Sequence, residues 1–95
     1  MTRKMEQQEK IIKLIVLTNQ SKLISQVDQV GADIGEPDCK LTKPYEVILQ
    51  EDGKLFLIRW LEGFTPEDTF MLSSDKILTL TEPTQQILDS YKGQI

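Results

Sequence analysis

A single dipeptide and its flanks constrain this chain most. Asp52-Gly53 sits between Tyr45-Glu46-Val47-Ile48-Leu49 and Leu55-Phe56-Leu57-Ile58-Arg59-Trp60-Leu61. Asp-Gly between two apolar runs is the strongest short-range hairpin signal, because the tight turn needs a positive φ that glycine supplies without steric cost. The pattern predicts a strand over 44–49, with Pro44 tolerated at its first residue, and a second strand over 55–61. That second run is apolar on both faces. Phe56, Ile58 and Trp60 alternate with Leu55, Leu57 and Leu61, broken only by Arg59. A strand of this kind needs cover twice, once from a core and once from a neighbour.

Other elements follow from composition shifts on either side of the hairpin. Thr2–Lys10 is polar and fits either a short helix capped by Thr2 or a tail. From Ile11 the run Ile-Ile-Lys-Leu-Ile-Val-Leu is β-branched and ends in the turn chemistry of Thr18-Asn19-Gln20-Ser21. Residues 22–30 are ambiguous and by pattern alone narrowly favour a helix, since Leu23, Ile24, Val27 and Val30 fit a helical face between Ser21 and Gly31 and the strand alternation is poorer. The tight turn just before them favours a strand that pairs back on the first run. A loop with Gly35 and Pro37 follows, with a short extended piece around Cys39–Leu41. Beyond the hairpin, Thr69–Leu80 reads as one strand interrupted by the polar knuckle Ser73-Ser74-Asp75-Lys76. Ile87, Leu88 and Tyr91 then form the stripe of a C-terminal helix over about 83–92, with Pro83 in its first turn and Gly93 at its end.

Composition narrows the classes. At 95 residues, 39% hydrophobic and 27% charged, the chain has ordinary globular values and the size of one domain. No apolar run approaches the roughly 20 residues of a membrane span, and no basic region feeds a signal-like apolar core, so a cytoplasmic protein is expected. With one cysteine, Cys39, and no histidine, neither an internal disulfide nor a Cys/His metal site is expected, and no cofactor. Residues 1–30 carry five Lys/Arg against three Asp/Glu, or +2, whereas residues 31–95 carry six against twelve, or −6. Such a surface does not suit duplex DNA.

The arrangement of Lys13-Leu14-Ile15-Val16-Leu17 with its Asn19-Gln20-Ser21 turn, Tyr45–Leu49 with Glu51-Asp52-Gly53, and Ser74-Asp75-Lys76-Ile77 resembles the Sm-like family over about residues 11–81. More narrowly, Gly35–Leu41 and Ser73–Leu78 resemble a group of uncharacterised Sm-like proteins ascribed to marine cyanophages. The resemblance implies a mainly β fold in one domain spanning 1–95: a five-stranded, strongly bent antiparallel sheet, or small SH3-like barrel, with short terminal helices. It also requires the strand option for 22–30. It implies a homo-oligomeric ring in which the fourth strand of one subunit pairs with the fifth of the next, which assigns Leu57, Arg59, Trp60, Ile77 and Leu78 to the contact. Single-stranded RNA is the partner the family implies, held here by Lys43 and Tyr45 in one loop and by Ser74 and Lys76 in the knuckle. The family's asparagine and arginine-glycine pair are absent, and Asp75 stands where phosphate would approach. The alternative expectation is a ring scaffold or protein-interaction module that binds no RNA.

Other features carry plainer readings. Glu36/Asp38, Glu51/Asp52 and Glu67/Asp68 match no calcium-loop spacing and read as solvated loop charges. Trp60, Phe56 and Phe70 read as core or subunit contacts, and the Ile87/Leu88/Tyr91 stripe as a face packed on the sheet. No phosphate-loop, dinucleotide or nucleophile-elbow motif is present, and no enzyme activity is expected.

Overall fold

The computed structural model describes residues 11–31, 33–34 and 36–95. The helix or tail over Thr2–Lys10 lies outside them. Six strands and one helix follow in order: β1 (Ile12–Leu17), β2 (Lys22–Gln29), β3 (Cys39–Leu49), β4 (Leu55–Arg59), β5 (Thr69–Leu72), β6 (Ile77–Thr81) and α1 (Gln85–Gln94). They form an open antiparallel sheet in the order β4-β3-β2-β1-β6, with β5 added on β3. No helix of the described residues is long and apolar enough to cross a membrane.

Both predicted tight turns are present. Asn19 Oδ1 accepts from the Ser21 N–H at 2.9 Å, and the Leu17 N–H reaches the Ser21 carbonyl at 2.9 Å, which joins β1 to β2. At the second turn Gly53 takes φ 89°, and Asp52 Oδ1 accepts from the Lys54 N–H at 3.0 Å. Residues 22–29 are strand. Their helix-like spacing arises because β2 lies between β1 and β3 with both faces covered, so Leu23 through Val27 are buried without a break.

Three expected strand boundaries change. Pro44 does not begin its strand; β3 runs eleven residues from Cys39, with Pro44 in its middle. Proline is tolerated there because the ladder is already broken. Ile24 pairs with Tyr45 and Gln26 with Thr42, so Lys43 and Pro44 together face Ser25 as a bulge. The run over 55–61 ends at Arg59, because Leu61 turns into the left-handed region at φ 62° and starts the excursion 60–68. The interrupted strand over 69–80 is two strands on different partners. β5 pairs with β3 and β6 with β1, on either side of a 3-10 turn at Ser74–Lys76, so the sheet has six strands and not five.

The bulge explains how so short a chain builds two cores. One extra residue reverses the inside-outside alternation of a strand. Leu41, before the bulge, packs with Ile15, Leu17, Leu23 and Val27, against which Trp60, Leu72 and Ile77 lie. Val47, after it, packs on the opposite face with Ile24 and Tyr91, beside Ile12, Leu14, Tyr45, Leu55, Leu57 and Ile87. Helix α1 covers this second face, as the apolar stripe predicts. Thr84 is its cap, accepting from the Ile87 N–H, so Pro83 precedes the helix and does not lie in its first turn. Gly93 lies inside the helix, one residue before its end.

Candidate functional site

The bulge and the excursion beside it build a concave site at the bend of β3. Lys43 sits at φ 56°, a left-handed conformation uncommon for a lysine, and its backbone is held from three sides. Its N–H donates to the Asp68 carbonyl at 2.6 Å. Its carbonyl accepts from the Tyr91 hydroxyl at 2.7 Å, with the Thr42 carbonyl 3.3 Å from the same hydroxyl. On the other side the buried Ser25 hydroxyl is shared between the carbonyls of Gln26 and Thr42, at 2.9 and 3.1 Å. Pro44, which has no N–H to satisfy, offers its carbonyl to the Trp60 N–H at 2.9 Å. The Thr42, Lys43 and Pro44 carbonyls and the Lys43 N–H thus all have partners.

A cavity of about 210 Å³ opens here. Tyr45, Trp60 and Phe70 supply flat walls, Lys43 and Arg59 supply cations, and Glu67 and Asp68 supply carboxylates, with Gln94 and Ile95 at the end of α1 closing one side. The walls are fixed by edge-to-face packing: Trp60 against Phe70 at 5.4 Å and 75°, Tyr45 against Tyr91 at 5.8 Å and 78°. Arg59 is tethered to Glu62 at 3.6 Å. Burial pushes the Tyr91 hydroxyl up to about 12, so it remains a donor to the bend across the neutral range.

The residues assigned to RNA divide into two places. Lys43 and Tyr45 share the cavity, on β3 itself and not in a loop. Ser74 and Lys76 lie in the 3-10 turn at the other end of the β3–β5 ladder, where Ser74 is engaged by Asp38. The Ser74 N–H and hydroxyl donate to the two Asp38 carboxylate oxygens at 2.8 Å each, which hold that carboxyl below its usual range. Five residue steps of extended chain separate Asp38 from Lys43, roughly 16 Å along the strand. Burial, followed by the Asp38 charge, raises the neighbouring Cys39 thiol. Among the described residues no group of three or more His, Cys, Asp and Glu is placed to hold a metal ion.

The residues assigned to the subunit contact also divide. Leu57 is half-buried against the α1 side of the sheet, while Trp60 and Ile77 pack on the other core. Arg59 lines the cavity. Leu78 is 61% exposed on β6. Apolar side chains that do face outward on the two terminal strands are Phe56 and Ile58 on β4 and Leu78 and Leu80 on β6, each 44 to 61% exposed. Phe56 was read as a core or subunit contact, whereas Ile58 and Leu80 were legible only as apolar strand residues. Nothing in spacing said which of their faces the chain would leave open.

Residues 10–95 match a family of unknown function, DUF6561. The chain belongs to the DUF6561 family. No curated protein matches it. Membership therefore covers the whole sheet, the cavity and α1, and brings no activity with it.

Proposed function

We propose that this chain is an Sm-like subunit that closes a homo-oligomeric ring and holds single-stranded RNA at the bend of β3. The observation that carries the RNA part is the cavity, where Lys43 and Tyr45 meet Arg59, Trp60 and Phe70. Flat aromatic walls take a base by stacking, worth about 1 to 3 kcal/mol per base, and neighbouring cations take its phosphate. The ring part is supported by the two terminal strands. Both β4 and β6 have a partner on one side only, and both carry exposed apolar side chains. An exposed, apolar strand edge favours pairing with a further strand, and a head-to-tail contact repeated by rotation closes a ring.

Light scattering after size exclusion is expected to give one closed oligomer of several subunits, and a monomer at tens of micromolar would remove the ring. Anisotropy with labelled oligo-U and oligo-A at low salt is expected to show binding whose affinity falls with salt. Two cations per cavity give a slope of about −1.4 in log K against log salt for each occupied subunit. The pair Lys43→Asn and Arg59→Gln is expected to abolish binding without changing the oligomer mass, since asparagine tolerates the left-handed backbone at 43. A ring that binds neither oligonucleotide is the scaffold alternative, and nuclease-resistant capture of a protein partner by that ring would establish it.

A further inference from the structure

We propose that the cavity selects guanine, with Glu67 as the residue that reads the base. This rests on the RNA function proposed above and adds a specificity to it. The two carboxylates at the rim differ in what they already hold. Asp68 Oδ1 has the Thr69 hydroxyl 3.4 Å away, and the Asp68 carbonyl is taken by the Lys43 N–H. Glu67 is tied only through its backbone, whose N–H donates to Thr65 Oγ1 at 3.2 Å, and its carboxylate has no hydrogen-bond or ion-pair partner among the described residues. An ionised carboxylate is acceptor-only, with two oxygens side by side.

The chemistry of the bases then separates them. Guanine presents two adjacent donors on its Watson–Crick edge, N1–H and the N2 amino group, which match the two oxygens of one carboxylate in a bidentate pair. Adenine and cytosine present one amino donor beside a ring-nitrogen acceptor, which faces the second oxygen with like charge. Uracil presents one donor between two carbonyls. Glu67 lines the same cavity as Tyr45, Trp60, Phe70, Lys43 and Arg59, so a base stacked on one of these aromatic walls with its phosphate toward the cations has an unpaired carboxylate in the same site to accept from its edge. The unpaired carboxylate is also the repulsive element, since it disfavours a base that cannot donate twice.

Anisotropy titrations with labelled hexamers UUUUUU, UAUAUA, UGUGUG and UIUIUI on the intact oligomer test this, the inosine hexamer lacking only the N2 amino group. About tenfold tighter binding of the guanine hexamer than of UUUUUU is expected, with inosine between them. Glu67→Gln, an exposed substitution checked by unchanged oligomer mass, is expected to bring the guanine and uracil hexamers to within twofold. Equal affinities for all four hexamers would overturn guanine selection and leave the RNA function standing. Binding of none at 100 µM would overturn both. Persistence of the guanine preference in Glu67→Gln would also overturn the assignment to Glu67.

Discussion

Strands β2 and β4 are both rich in apolar residues, and they differ in who covers them. β2 runs between β1 and β3, with Leu23 fully buried toward one core and Ile24 toward the other. β4 has only β3 beside it. Leu55 and Leu57 lie on the α1 side, while Phe56 and Ile58 on the alternate face are left close to half exposed. A two-sided apolar strand is thus either the centre of a fold or its unfinished edge, depending on how many neighbours the chain brings to it.

Core truncation of β2 is the most direct way to break that contrast. Ile24→Ala is expected to cost about 2 to 5 kcal/mol in urea unfolding, because it opens a cavity where β1, β3 and α1 meet. A loss under 1 kcal/mol would mean that the second core is not packed by α1. Next in size, Tyr91→Phe keeps the ring that fills this core and removes the hydroxyl from the bend. About 1 to 3 kcal/mol is expected to be lost, since the part-buried Lys43 carbonyl then loses its hydroxyl partner. An unchanged midpoint would show that water replaces the hydroxyl there.

The same hydroxyl has a pH signature. Its folded value near 12 lies above the ordinary 10, so folding favours the protonated form. Stability from this group is therefore fully present below pH 10 and falls as pH rises from 10 through 12. Melting curves over that range are expected to decline more steeply for the wild type than for Tyr91→Phe, and parallel curves would detach the decline from Tyr91. The smallest effect on the isolated subunit is expected at the edge. Ile58→Asp, at a position close to half exposed, should cost the subunit about 0.5 to 1.5 kcal/mol, yet abolish the rise of Tm with protein concentration that a closed oligomer confers. A wild-type Tm independent of concentration would remove the proposed role of β4 as a contact strand.

Much of the fold was legible locally. Asn19-Gln20-Ser21 and Asp52-Gly53 announce their turns because a side-chain acceptor and a glycine act within four residues. The stripe Ile87/Tyr91 announces a helix face that packs on the sheet. Less was legible where pairing partners decide. Thr69–Leu80 reads as one strand with an interruption, and only its partners show that the two pieces belong to β3 and to β1. The cavity was half legible. Lys43 and Tyr45 were marked through a resemblance, whereas Arg59 and Trp60 were read as contact residues and Glu67 as a solvated charge, because their convergence depends on the excursion 60–68 returning to the Lys43 N–H through Asp68.

Sequence by itself determined the mainly β class, the two tight turns, the C-terminal helix and the acidity of residues 31–95, all properties of neighbours along the chain. Tertiary structure decided the bulge. Opposite Ser25, two residues must share the place of one, and that mismatch reverses the alternation of β3, divides one apolar set into two cores and bends the strand into a site. A register shift of this kind is a property of two strands together, so neither strand's pattern contains it.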